Sequence, residues 1–272
     1  MPEQPTFRIL CIGGSDPRRG AGVQMDAAVC RALGFEPAVV ATCDTLQSER
    51  GLESVSVRPV DEMVHAAIRE LAAGVDAVKI GALGDERVVE ALAETLEPWH
   101  LDLPIVLDPV TQASRVAVAG AALNTPAGAR MMRERLFPLT AVVTPNALEF
   151  GSGEAYEDCR AVLRKGGHAD GAEVVDRLTT LLDGPMEFRR PRIPGASEIH
   201  GTGCAYATLV ACLMARCPGP EFACEEAGKI LHAWLSGPGL RDGRLVPPPT
   251  SRRDWPRSML MSPNPGHSAN PG

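Results

Sequence analysis

The sequence predicts an α/β fold, one doubly wound, mainly parallel sheet with helices on both faces, and three observations carry that prediction. Short apolar runs of buried-strand character recur along the chain. Most are followed by a segment whose apolar residues stand three to four apart, with glycine, proline or polar residues at the joins. Aromatic residues are only 4% of the 272, so Ala, Val and Leu must do most of the packing, as they do where helices lie on a sheet.

Taken in order, FRILCIGG (7–14) reads as the first strand and MDAAVCRALG (25–34) as the helix after it. PAVVATC (37–43) precedes the helix EMVHAAIRELAAG (62–74), and DAVKIGAL (76–83) precedes ERVVEALAETLEP (86–98). LPIVLDPV (103–110) is followed by AGARMMRERLFP (127–138), and TAVVTPN (140–146) and AVLRKGGH (161–168) are the fifth and sixth strands. Crossovers of this length pair like-directed strands. EVVDRLTTLLDG and PMEFRRPRIP form a hairpin-like pair, and EIHGTGCAYATLVACLMARC opens a long apolar helix straight after a glycine turn. Residues 1–246 are expected to form one domain, and residues 247–272, rich in Pro, Ser, Gly and Asn, a disordered tail.

Net charge is −7 and the pI near 5.4, which excludes the broad cationic field that nucleic acid requires. The start, MPEQPTFRILCIGG, lacks a basic n-region, and no apolar stretch approaches the roughly 18 residues of a membrane span; a cytoplasmic protein is expected. The eight cysteines show no CxxC pair or zinc spacing, so most are expected to be small buried hydrophobes.

Ligands in such folds bind beyond the carboxyl ends of the strands, where the unusual residues gather. In IHGTGCAYATL, Gly201, Thr202 and Gly203 form a turn whose amides run into a helix start, an anion hole made of unpaired N–H groups and the positive helix end. Cys204 stands at that start, where the thiolate should be favoured and its pKa lowered below about 8.5; it would act as a base or a nucleophile. Asp108 in VLDPV, with Asn146 and Glu149 in TPNALEF, offers oxygen donors of the kind Mg²⁺ takes while keeping several waters. Lys165 in RKGGH can neutralise a phosphate. The first turn, GGSDPRRGAGVQMD, matches neither common nucleotide loop; Asp16 and Asp26 are either substrate carboxylates or helix caps there.

GSDPxxGAGVQxD, TLQSERG, KIGAL, VLDPV, TPNxxE, KGGH and HGTGC follow one another in the order and approximate spacing of the hydroxymethylpyrimidine/phosphomethylpyrimidine kinases of thiamine biosynthesis, which this chain resembles from Arg8 to Trp255. The resemblance implies a ribokinase-like α/β/α sandwich, a homodimer, and phosphorylation of 4-amino-5-hydroxymethyl-2-methylpyrimidine and then its monophosphate by ATP with Mg²⁺. It implies that Asp26 and Gln47 bond the aminopyrimidine edge, that Gly14 and Val110 line its pocket, and that Asp108 and Glu149 organise Mg²⁺. Lys165 and Asn146 would meet the nucleotide, Gly201, Thr202 and Gly203 would hold the transferring phosphoryl group, and Cys204 would be the base.

Three features depart from the family pattern. Arg18 and Arg19 stand where small residues are usual, facing either a substrate phosphate or solvent. Ala82 replaces a methionine against the ring, which makes pyridoxal kinase the main enzymatic alternative. Only FGSGEAYEDCR joins TPNALE to the next strand, so an under-covered sheet and a lost nucleotide pocket are expected risks, and with them a pyrimidine-binding protein without catalysis.

Overall fold

The computed structural model describes residues 6–18, 20–48, 51–110, 122–150, 156–157, 159–167, 169, 171–217 and 219–250, the side chains of 47, 48, 51 and 148 aside. Arg19, most of the short 150–160 connection, the Gln47 side chain and residues 251–272 therefore lie outside the described residues.

The six expected parallel strands are β1 (Arg8–Ser15), β2 (Glu36–Ser48), β4 (Ala77–Ile80), β5 (Ile105–Leu107), β6 (Val142–Val143) and β7 (Ala161–Arg164). With β3 (Gly51–Val57), β8 (Glu173–Thr180) and β9 (Met186–Pro191) they form a nine-stranded sheet among the described residues, ordered β3-β2-β1-β4-β5-β6-β7-β8-β9. Every pairing from β2 through β7 is parallel, while the β2–β3, β7–β8 and β8–β9 pairings are antiparallel. The hairpin expectation holds for β8 and β9. The chain leaves β1 toward β2 on one side and returns to β4 on the other, so the crevice of a doubly wound sheet opens above β1 and β4.

β1 is buried on both faces because helices cover both. Ile9 and Cys11 pack with α1 (Gly22–Ala32), α6 (Thr202–Arg216) and α7 (Pro220–Leu235). Leu10 and Ile12 pack with α2 (Val60–Ala72), α3 (Glu86–Leu96) and the turn that follows α4 (Pro126–Met131). This is the three-layer sandwich.

β2 runs past the expected PAVVATC through residues 44–48 and pairs there with β3, Asp44 opposite Ser56, with Leu52 fully buried at that end. One expectation needs correction. The short connection does not leave the sheet bare. It contributes α5 (Ala147–Phe150), and Tyr156 stacks between Phe137 and Phe150, centroids 5.2 Å from each, leaving Val143 and Val162 buried. At the carboxyl end, residues 247–250 follow the short β10–β11 hairpin (Leu240–Arg241, Arg244–Leu245) back to the domain, where the Thr250 N–H donates to the Ala32 carbonyl at 2.7 Å.

Candidate active site

One cavity lies along the carboxyl ends of the strands. At the β1 end Gly14, Thr45, Ala82 and Val110 line it. Asp16 organises the first turn: Oδ2 accepts from the amides of Gly20 and Ala21 at 3.0 Å, and Oδ1 from Arg18 N–H. Burial works against the Asp16 carboxylate, but His200 and those amides hold its pKa below the usual range. Asp16 ties the turn before α1 rather than capping the helix, and it lines the cavity, whereas Arg18 is exposed and outside the lining.

At the centre stands the start of α6. No side chain caps it; Gly201 is the N-cap at φ 84°, and a Cβ there would collide with the Gly20 carbonyl, so only glycine closes this turn. The amides of Thr202, Gly203 and Cys204 thus face the cavity end of a fifteen-residue helix. Lys165 Nζ and Asp108 lie against Gly203: a Cβ there would stand 3.4 Å from Lys165 Nζ and 4.0 Å from Asp108 Oδ2, in ordinary contact. Lys165 donates to Asp108 at 2.6 Å, both nearly buried. Asn146 and Glu149 cap one another, each backbone N–H donating to the other side chain at 2.9–3.0 Å, which fixes the Glu149 carboxyl beside the pair. Burial raises Glu149 to about 7, against Lys165 and with Asp108.

Among the described residues no three His, Cys, Asp or Glu side chains form a closed metal cage. Asp108 and Glu149 are two hard oxygen donors that share Lys165 as neighbour, a set that fits Mg²⁺ completed by waters and phosphate oxygens.

Two expectations are overturned here. Cys204 lines the cavity as expected, but burial pushes its thiol up to about 11, even though Lys79 and the Gly22 N–H act to lower it. Desolvation outweighs both. Asp26 does not face a substrate: it is fully buried outside the cavity lining, accepting from Lys79 at 2.9 Å and from the Thr208 hydroxyl at 2.8 Å. Burial would lower the Lys79 pKa, yet Asp26, then Cys204 and Asp108, hold it above its usual value as an ammonium beneath the site. A lysine inside the apolar strand DAVKIGAL was the legible signal, because a charge at such a position needs a buried partner.

Beyond Lys165 the same cavity is lined by Val174, Asp176, Arg190, Ile193, Leu231 and Leu235. His200 also borders it, with Nε2 3.7 Å from Asp16 Oδ2 and neither ring nitrogen hydrogen-bonded.

The sequence is 34% identical over 247 residues to the hydroxymethylpyrimidine/phosphomethylpyrimidine kinase of Escherichia coli, covering 84% of this chain and 88% of that one. It is 37% identical over 229 residues to the enzyme of the same name from Streptomyces coelicolor, covering 76% and 81%. The fold superposes on pyridoxal kinase from Staphylococcus aureus in complex with AMP-PCP and pyridoxal, with a TM-score of 0.76 at 24% identity over 91% of this chain and 94% of that one. The ribokinase-like fold expectation stands on that superposition. Residues 16–152 and 154–245 match the phosphomethylpyrimidine kinase family, and with these relatives the chain belongs to that family.

Proposed function

We propose that this protein transfers the γ-phosphoryl group of ATP to 4-amino-5-hydroxymethyl-2-methylpyrimidine and then to its monophosphate. One observation carries the reading. The Asp108–Lys165 pair, the uncapped start of α6 and Cys204 meet at the middle of a cavity that extends both ways, toward Gly14 and Val110 and toward Leu231. An acceptor fits the first side and a nucleotide the second.

In-line phosphoryl transfer asks for positioning and charge stabilisation more than for covalent chemistry. The amides of Thr202, Gly203 and Cys204 are aimed where charge spreads over the equatorial oxygens, and Lys165 and Asn146 stand on the nucleotide side. Mg²⁺, held through Asp108 and Glu149 with waters, would neutralise phosphate charge. The acceptor oxygen bonds phosphorus as the bond to ADP breaks, and its proton passes to Cys204 Sγ. Cys204 must be a thiolate to take it, and the Lys79 ammonium and the Gly22 N–H are the groups that favour that form. Gln47 on β2 and Val110 complete the acceptor side in this reading, and a homodimer of a cytoplasmic enzyme goes with it.

Cys204→Ala is expected to abolish ADP release while leaving pyrimidine binding within about threefold by calorimetry; full turnover in that variant removes Cys204 from the mechanism. Ala82 supports a second reading, pyridoxal phosphorylation, because its small side chain widens the acceptor wall beside Gly14. Initial rates of ADP release with the alcohol, its phosphate and pyridoxal in parallel decide between them. A binder without catalysis would take up pyrimidine and show no heat with MgATP.

A further inference from the structure

Gly166 follows Lys165, and its N–H donates at 2.8 Å to Asp176 Oδ1, a carboxylate on β8 with almost no exposure. The other oxygen of Asp176 is met by Arg190 from β9 and by the Tyr206 hydroxyl from α6, at 2.7 Å for the latter. The same hydroxyl lies 3.1 Å from the Cys224 carbonyl on α7. Three elements therefore converge on one carboxylate of β8, and α7 joins them through the Tyr206 hydroxyl.

Two glycines are explained by this convergence. A Cβ on Gly228, in the middle of α7, would collide with Arg190 Nη1 and stand 2.8 Å from the Tyr206 oxygen. Glycine inside a helix costs about 1 kcal/mol relative to alanine, so a bare position there needs such a reason. A Cβ on Gly166 would collide with the Val175 carbonyl, so the Lys165 turn lies flat on β8. Arg190 and Asp176 form a buried ion pair, and an amide bond to a charged acceptor is roughly twice as strong as one to a neutral acceptor. Asp176, Arg190 and Tyr206 also border the stretch of cavity beyond Lys165.

We infer that Asp176, clamped by Arg190 and Tyr206, is a positioning residue that holds the Lys165–Gly166 turn so that Lys165 faces the nucleotide phosphates, and that Gly228 is bare in order to admit Arg190. This rests on the reading that Lys165 meets the nucleotide. Asp176 touches no substrate in this account; it acts through Lys165.

The test is a double-variant cycle on the full chain, with steady-state constants for MgATP and for the pyrimidine alcohol and melting temperatures for each variant. Asp176→Asn is expected to raise KM for MgATP about tenfold, the usual scale for a residue supporting a site ligand, and to leave KM for the pyrimidine within about twofold. In a Lys165→Met background the same change should add little, because the group it positions is gone. Gly228→Ala should repeat the MgATP effect by displacing Arg190. If Asp176→Asn does not fold, Tyr206→Phe, which removes one hydroxyl, carries the cycle with a smaller rise in the same constant. A full additional effect in the Lys165→Met background, or an equal rise in both KM values, overturns the positioning role and leaves the Lys165 reading intact. An unchanged KM for MgATP in Lys165→Met itself overturns both.

Discussion

A lysine ammonium has no place beneath a substrate cavity unless a carboxylate meets it, and Lys79, fully buried, meets Asp26. Lys79→Met leaves that carboxylate uncompensated and is expected to cost about 3–5 kcal/mol in urea unfolding, while the double variant with Asp26→Leu recovers most of the loss. Cys204 sits under the same field. With its pKa raised to about 11, the thiolate fraction is small at neutral pH and grows tenfold per pH unit. Alkylation of Cys204 by iodoacetamide, followed by peptide mass spectrometry, should therefore accelerate roughly tenfold from pH 8 to pH 9 without levelling. A rate that levels below pH 8 indicates a lowered pKa. The sequence placed Cys204 at a helix start, but burial in the finished fold reverses the sign that a helix start alone predicts. Asp26 and Lys79 lie 53 positions apart, so their pairing was not legible from spacing.

At the scale of elements, the six parallel strands and the hairpin were legible because apolar runs and their period of repeat are local properties. α7 was missed, although Pro220 starts it and Ala223, Ala227, Leu231 and Trp234 repeat at helical spacing on its buried face. β3 was missed because its pairing with β2 makes it a strand, and a short polar segment such as GLESVSV carries little signal alone. The stack of Phe137, Tyr156 and Phe150 covers the part of the sheet expected to be under-covered; Tyr156→Ala should cost about 3 kcal/mol by urea unfolding and Tyr156→Phe about 1 kcal/mol, since the latter keeps the rings and loses only the bond to the Glu149 carbonyl. Gly201→Ala forces a side chain into positive φ against the Gly20 carbonyl, and a rate loss on the order of a hundredfold is expected in the ADP-release assay.

Over the whole molecule, the motif order covers most of the chain, and Gly14, Asp108, Val110, Asn146, Glu149, Lys165, Cys204 and the turn before it, drawn from that series, line one cavity. No described helix is long and apolar enough to cross a membrane. Among the described residues, β2 exposes Val39 and Leu46, and sedimentation at micromolar concentration is expected to give a dimer that Leu46→Lys weakens. By itself the sequence determined the fold class, the strand-end placement of the chemistry and the family, because periodicity, glycine turns and motif order are written along the chain. Only the tertiary structure decided what Asp26 binds, how strongly Cys204 holds its proton, and why Gly228 is bare. Each of those depends on groups distant in sequence meeting inside a low-dielectric core, where desolvation and a single partner set the charge state.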